Sequence, residues 1–393
     1  MFHLLLPIIY ISFISLGLPD SLLGSAWPSI YPELNVPVSG AGVIAMIISA
    51  MTVISSLMSD RLTRTFGTGK VTAFSVAMTA AALYGFSVSH SYAMLLLWAI
   101  PYGLGAGSVD ASLNNYVALH YESRHMSWLH CMWGIGTAIG PNIMGFALTR
   151  GMGWNAGYRI IAVFQTVLSV CLFLSLPLWK SHSHVPGSPS ENEAKPLSIS
   201  QIVRIPGVRE VMLCFLCYCA VEQTAGLWSG SYLTLYKGTA PETAASYAGI
   251  FYIGITAGRA VSGFLTYRFS DKQMVRLGQT LIAAGILILL VPGGEILSLI
   301  GLIITGLGCA PVYPSLIHST PAHFGAERSQ AIIGVQMAAA YVGSCLTPPL
   351  FGLIAQHISI SLLPLFLAVF LVLMFLMHEQ LIRKTETRPQ ADR

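Results

Sequence analysis

The run 359–378, SISLLPLFLAVFLVLMFLMH, is twenty residues long and holds no Asp, Glu, Lys or Arg. A helix needs roughly 20 apolar residues to cross a bilayer. A barrel strand would instead alternate in polarity over about ten. The run therefore reads as a transmembrane helix. The same reading, taken back along the chain, finds eleven more spans, near 4–27, 39–59, 70–89, 92–119, 126–149, 157–179, 207–235, 243–267, 273–292, 296–319 and 328–356.

Composition agrees with that reading. The 393 residues are 54% hydrophobic and only 9% charged, with 20 basic and 16 acidic side chains. An ordinary soluble domain carries about 25% charge, so a water-soluble enzyme is excluded. The net charge of +4, with nearly all its basic residues in loops or at span ends, offers nucleic acid no footing. The start Met1-Phe2-His3-Leu4 lacks the basic leader of a cleavable signal, so the first span is expected to stay. All seven cysteines lie in apolar runs, and no disulfide is expected.

One long polar stretch interrupts the pattern, and it sets the domain organisation. Residues 180–206, with Ser181-His182-Ser183-His184 and Pro186-Gly187-Ser188-Pro189, read as a linker between bundles at 1–179 and 207–378, with a tail at 379–393. The His182/His184 pair reads as part of a solvated loop rather than a metal site. Sixteen of the twenty Lys and Arg fall on the linker's side of the spans, three opposite, and one, Arg259, within a span. The positive-inside rule places the linker and both termini in the cytoplasm.

The two halves repeat in sequence. Asp20-x-x-x-Gly24 matches Glu222-x-x-x-Gly226 at an offset of 202, and Gly103-Leu104-Gly105 matches Gly306-Leu307-Gly308 at 203. Ala41-Gly42 matches Ala248-Gly249, and Pro141-x-x-x-Gly145 matches Pro348-x-x-x-Gly352, both at 207. Six spans return the chain to its starting side. The halves are therefore expected to be related by a pseudo-two-fold along the membrane normal, the plan of a two-bundle carrier.

On these residues the chain resembles a major facilitator superfamily transporter. Asp60-Arg61-x-x-Arg64 with Gly67 and Lys70 is similar to that superfamily's loop motif, although Ser56 stands where Gly is usual. Gly17-Leu18-Pro19-Asp20, Asp110 with Asn114 and Asn115, Glu222 with Gly226, Trp228 and Tyr232, and Gly258-Arg259 with Gly263 and Arg268 resemble its fucose permease and sodium-dependent glucose transporter-like group. The resemblance implies an all-α protein of twelve transmembrane helices in two six-helix bundles. It also implies that the acids of spans 1 and 4, here Asp20 and Asp110, relay protons while one of them touches sugar. Asp60, Arg61, Arg64, Arg259 and Arg268 take gating or structural roles.

The residues support that expectation independently. Asp20, Asp110, Glu222 and Arg259 are the Asp, Glu, Lys or Arg residues more than four positions from the end of a span, and each is disfavoured near the bilayer centre by about 2.5 to 3.5 kcal/mol. A helical rise of about 1.5 Å per residue puts Asp20 roughly 24 Å and Glu222 roughly 22 Å from the inner face, with Asp110 and Arg259 near 14 Å. One base cannot neutralise three acids, so at least one carboxyl must be protonated or face a water-filled cavity. Asn114 follows Asp110 by four residues, and His130 and Trp133 share a face three apart. With Trp228, Tyr313 and Gln336 they form a set suited to hydroxyl groups on an aromatic platform.

The expectation is a symporter for a sugar or similar neutral polar solute, acting as a monomer in a cell membrane. Its coupling ion is a proton, with sodium the alternative, and it has no cofactor. An efflux antiporter for amphipathic or cationic compounds is the rival reading; an intramembrane enzyme or a non-transporting receptor represents other classes. Gly103-x-Gly105-x-Gly107 lies in an apolar span with no strand before it, so it reads as a close-approach stripe rather than a phosphate loop.

Overall fold

In the computed structural model, which describes residues 2–37, 40–180, 197–239 and 241–386, the chain is helical throughout and forms no strand among those residues. The first half comprises α1 (Phe2–Asp20), α2 (Leu22–Glu33), α3 (Gly40–Phe66), α4 (Thr68–Ser87), α5 (Tyr92–His120), α6 (Ser123–Thr149) and α7 (Gly153–Lys180). After α8 (Ile199–Arg204) come α9 (Val208–Leu235), α10 (Pro241–Leu265), α11 (Asp271–Leu290), α12 (Glu295–His318), α13 (Thr320–Phe324), α14 (Ala326–His357) and α15 (Leu363–Glu386). Among the described residues, ten helical stretches are long and apolar enough to cross a membrane, Leu5–Glu33 counting as one. The remaining two expected spans are α4, whose faces are largely buried Ala, Gly, Ser and Thr, and α10, apolar over Gly249–Leu265.

Four boundaries depart from the sequence reading. The first span, expected as one helix, breaks at Ser21. The motif Asp60–Arg64, expected in a loop, lies in the last turns of α3, where Arg64 pairs with Asp60 at 2.9 Å across one turn. The chain then reverses at Gly67, whose φ of 80° only glycine adopts freely. Within the expected linker, 199–204 is helical because Ser198 and Gln201 form a reciprocal capping box; His182 and His184 lie outside the described residues. The final helix runs past 378 into the expected tail. Ion pairs hold it there: Glu379 to Arg276 at 2.7 Å, Lys384 to Glu210 at 2.6 Å and Glu386 to Lys272 at 2.9 Å.

The chain divides into two compact units, Met1–Tyr116 with Leu129–Leu197, and Val117–Trp128 with Ser198–Arg393. Lipid gives helices no hydrophobic reason to associate with each other, so packing depends on small residues that let backbones touch. In the first unit α5 shows this on two faces. A Cβ on Gly103 or Gly107 would strike the carbonyls of Ile48 or Thr52 in α3, and one on Gly105 would meet Ser75 and Thr79 in α4. In the second unit α12 repeats the device. Gly306 abuts the Phe251 carbonyl of α10, and Gly308 abuts Gly278 and Ile282 of α11. Ser75 and Thr79 lie 203 positions before Gly278 and Ile282, so the internal repeat extends from sequence to contacts.

The second unit also takes in Val117–Trp128. His318 faces the Asp271 carboxylate at 2.6 Å through one ring nitrogen and donates to the Tyr121 carbonyl at 3.1 Å through the other. Ser123 hydrogen-bonds Asp271, and the Trp128 indole donates to the Ala260 carbonyl at 3.2 Å.

Candidate functional site

Glycines also position the first carboxylate. Gly17 of α1 lies so close to α6 that a Cβ would overlap the Trp133 carbonyl; Gly136 and Gly140 of α6 abut the Ile14 and Leu18 carbonyls of α1. Ser21 adds a hydrogen bond to the Thr137 carbonyl at 2.8 Å. With the two backbones in contact, the Trp133 indole N–H reaches Asp20 Oδ2 at 2.9 Å. From α5, the Tyr102 hydroxyl donates to Asp20 Oδ1 at 3.1 Å. Asp20 is therefore held by two neutral donors at the point where the first span breaks. It is exposed, and among the described residues no cation lies within ion-pair range of it.

The second carboxylate sits in a chain of amides and imidazole. Asn114 Nδ2 donates to Asp110 Oδ1 at 2.8 Å, one helical turn apart. That leaves Asn114 Oδ1 as an acceptor, and His130 Nε2 lies 3.0 Å from it. The nitrogen facing an acceptor must carry the proton, so His130 donates to Asn114. Asp110, Asn114 and His130 are all at least nine-tenths buried, and Phe13 sets its ring edge-on to His130 at 5.4 Å. α6 thus serves both clusters, His130 in one and Trp133, three residues on, in the other.

The acid of the second unit differs. Glu222 and Arg259 are both deeply buried and 3.7 Å apart, and the Arg259 guanidinium also lies 3.5 Å from the Tyr218 hydroxyl. The sequence separates Glu222 and Arg259 by about 8 Å in depth at the standard helical rise, a gap the long arginine side chain spans. Tyr313 packs against Tyr218 with ring centroids 5.6 Å apart.

Of the remaining expected residues, Gln336 is fully buried and exchanges hydrogen bonds with Thr320 at 2.9 and 3.2 Å. Trp228 donates to the Pro348 carbonyl at 2.9 Å and packs on Phe351. Both are thus engaged in helix packing. Arg61 and Arg268 are exposed. Tyr102 and Tyr218 escaped the sequence reading. The available signal was a phenol in an apolar span, which needs a partner for its hydroxyl when buried; Tyr218 also precedes Glu222 by one turn. Among the described residues no group of three or more His, Cys, Asp or Glu is placed to hold a metal.

The arrangement is one of acids, amides and indoles inside apolar bundles. Known proteins place it. A family model described as Major Facilitator Superfamily matches residues 9–247 and again 211–393. The chain is similar to the uncharacterized transporter y4wD of Sinorhizobium fredii, 24% identical over 358 residues that cover 85% of this chain and 87% of that one. Its fold is similar to that of the transporter FucP in the outward conformation, with a TM-score of 0.75, 15% identity, and coverage of 95% and 98% of the two chains. It is also similar to the proton:xylose symporter XylE, with a TM-score of 0.76, 12% identity, and 94% of each chain covered. At such identities the likeness to solved structures speaks for the fold alone. The family model covers both halves of the chain, and the protein accordingly belongs to the Major Facilitator Superfamily: a multi-pass membrane transporter of a small-molecule solute, not an enzyme.

Proposed function

We propose that the protein is a proton-coupled symporter that carries a sugar or similar neutral polar solute by alternating access, with Asp20 as the principal coupling carboxylate and Asp110 as a second. The observation that carries this reading is the contrast between the acids. Glu222 has Arg259 beside it, whereas Asp20 is exposed and, among the described residues, is supported by two neutral donors, Trp133 and Tyr102. A carboxylate with a fixed cation has little reason to bind a proton. One without a cation, whose access to water changes as the carrier cycles, exchanges its proton with each side in turn. A proton carried inward is worth about 2.3 kcal/mol per 100 mV, enough to concentrate a neutral solute about fiftyfold.

The neutral-solute reading is supported by the donors and acceptors themselves. The half-buried Trp133 ring beside Asp20 offers a platform, and the Asp110–Asn114–His130 chain lies on α5 and α6, the helices that supply Tyr102 and Trp133. FucP and XylE share the fold, and XylE is a proton:xylose symporter. In this reading both termini lie in the cytoplasm, a placement supported by the excess of basic residues on the linker's side, and the carrier works as a monomer in the cell membrane.

Uptake of labelled hexoses and pentoses by proteoliposomes, under an imposed pH or sodium gradient, tests the reading. A pH gradient should drive accumulation and a sodium gradient should not. Asp20→Asn and Asp110→Asn should each abolish gradient-driven accumulation, with at least one retaining counterflow exchange. Full accumulation by both variants would remove the coupling role, and sodium-driven uptake would replace the proton with that ion.

A further inference from the structure

Pro19 lies inside α1, one residue before Asp20 and two before the break. A proline supplies no N–H and crowds the carbonyl four residues back; here that carbonyl belongs to Ser15. An orphaned carbonyl in an apolar bundle is strongly disfavoured. The structure gives it a partner from another helix: Gln165 Nε2, in α7, donates to the Ser15 carbonyl at 2.7 Å. Gln165 is itself held, its Oε1 accepting from the Thr79 hydroxyl of α4 at 2.6 Å. Gln165 is 2% exposed and Thr79 5%. Ser15, Pro19, Thr79 and Gln165 line one small pocket together with Tyr102, whose hydroxyl reaches Asp20.

From this geometry we propose that Gln165 is a positioning residue for Asp20. With Thr79 behind it, Gln165 replaces the hydrogen bond that Pro19 removes, and so fixes the broken helix at the angle that presents the Asp20 carboxylate to Trp133 and Tyr102. The proposal deepens the reading of Asp20 as the coupling group. Among the described residues, α9 of the second unit needs no such brace. α9 runs unbroken through Glu222 with no proline, and the position equivalent to Thr79, at the 203 offset, is Ile282. The brace therefore belongs to the half in which Asp20 has, among the described residues, no cation within ion-pair range and is aimed by other means.

The test is a double-mutant cycle on the purified full-length protein, combining Gln165→Leu with Pro19→Ala. Alanine restores the N–H that Ser15 needs. Gln165→Leu should therefore lower the melting temperature clearly when residue 19 is proline, and much less when it is alanine. Equal losses in both backgrounds would overturn the proposal.

Aim is read separately, by labelling carboxyls with dicyclohexylcarbodiimide and quantifying Asp20 and Glu222 by mass spectrometry. Gln165→Leu should change labelling of Asp20 several-fold and leave Glu222 unchanged, with Thr79→Val giving a smaller change in the same direction. Labelling that moves equally at both acids, or at neither, would reduce Gln165 to a merely stabilising residue. Gradient-driven accumulation by Asp20→Asn would remove the coupling role of Asp20 and still leave this brace standing, so the two failures are distinguishable.

Discussion

Arg259 is the residue whose partner the sequence left open among three acids. The structure pairs it with Glu222 at 3.7 Å, deep in the second unit. Removing one member of a buried ion pair leaves the other charge uncompensated and commonly costs about 3–5 kcal/mol, whereas removing both is often close to neutral. Arg259→Leu should therefore lower the thermal stability of the detergent-purified protein markedly, and adding Glu222→Leu should restore most of it. A double variant as unstable as the single one would show that the pair is not the relevant interaction. A smaller effect is expected in the other cluster. His130→Ala leaves Asn114 Oδ1 without the donor it faces, a loss of about 1–3 kcal/mol for a buried polar group, measurable in the same melting assay. These residues were legible in the sequence because ionisable and amide groups in an apolar span are conspicuous. Their partners were not legible: Asp20 and Trp133 are 113 positions apart and Asp20 and Tyr102 are 82 apart.

At the scale of the helices, glycines decide which side chains meet. Gly136 abuts the Ile14 carbonyl of α1, while Gly145, on the same helix, has nothing within 4 Å of its would-be Cβ. Gly136→Ala should force α1 away from α6, separate Trp133 from Asp20, and reduce both stability and solute binding. Gly145→Ala should be neutral or stabilising by up to about 1 kcal/mol, since alanine is the better helix former. Thermal melts and solute-binding titrations on the two variants check this, and equal effects would mean that the α1–α6 contact does not control the site. The close-approach reading of Gly103, Gly105 and Gly107 agrees with the structure because each glycine faces a neighbouring backbone. The first span remains one stretch, Leu5–Glu33, but its helix is interrupted at Ser21, two residues after Pro19. Propensity within one segment does not reveal that a neighbouring Gln165 stands ready to satisfy the freed carbonyl.

Across the whole molecule, the two halves share a plan and differ in chemistry. The glycine contacts of α5 and α12 repeat at the offset seen in the sequence, yet one half carries a broken helix with an acid supported by neutral donors and the other an unbroken helix with an ion pair. The last helix shows a similar gap between sequence and structure. Residues 379–386 look like a polar tail, but Glu379, Lys384 and Glu386 each meet an opposite charge from α11 or α9. Single exposed pairs contribute about 0–1 kcal/mol, so Glu379→Ala alone should shift the melting temperature little. Truncation after His378 removes all three pairs and the last turns of α15, and should lower it clearly; an unchanged melting temperature would return these residues to the status of a tail.

What the sequence determined unaided was the solvent and therefore the class of fold. With so little charge and so many unbroken apolar runs, only helices could satisfy every backbone group in lipid, and the few ionisable residues among them had to matter. The pairing of those residues was decided by tertiary structure alone. A hydrogen bond or ion pair between helices depends on which backbones can touch and how a helix bends, and both follow from contacts between residues far apart along the chain.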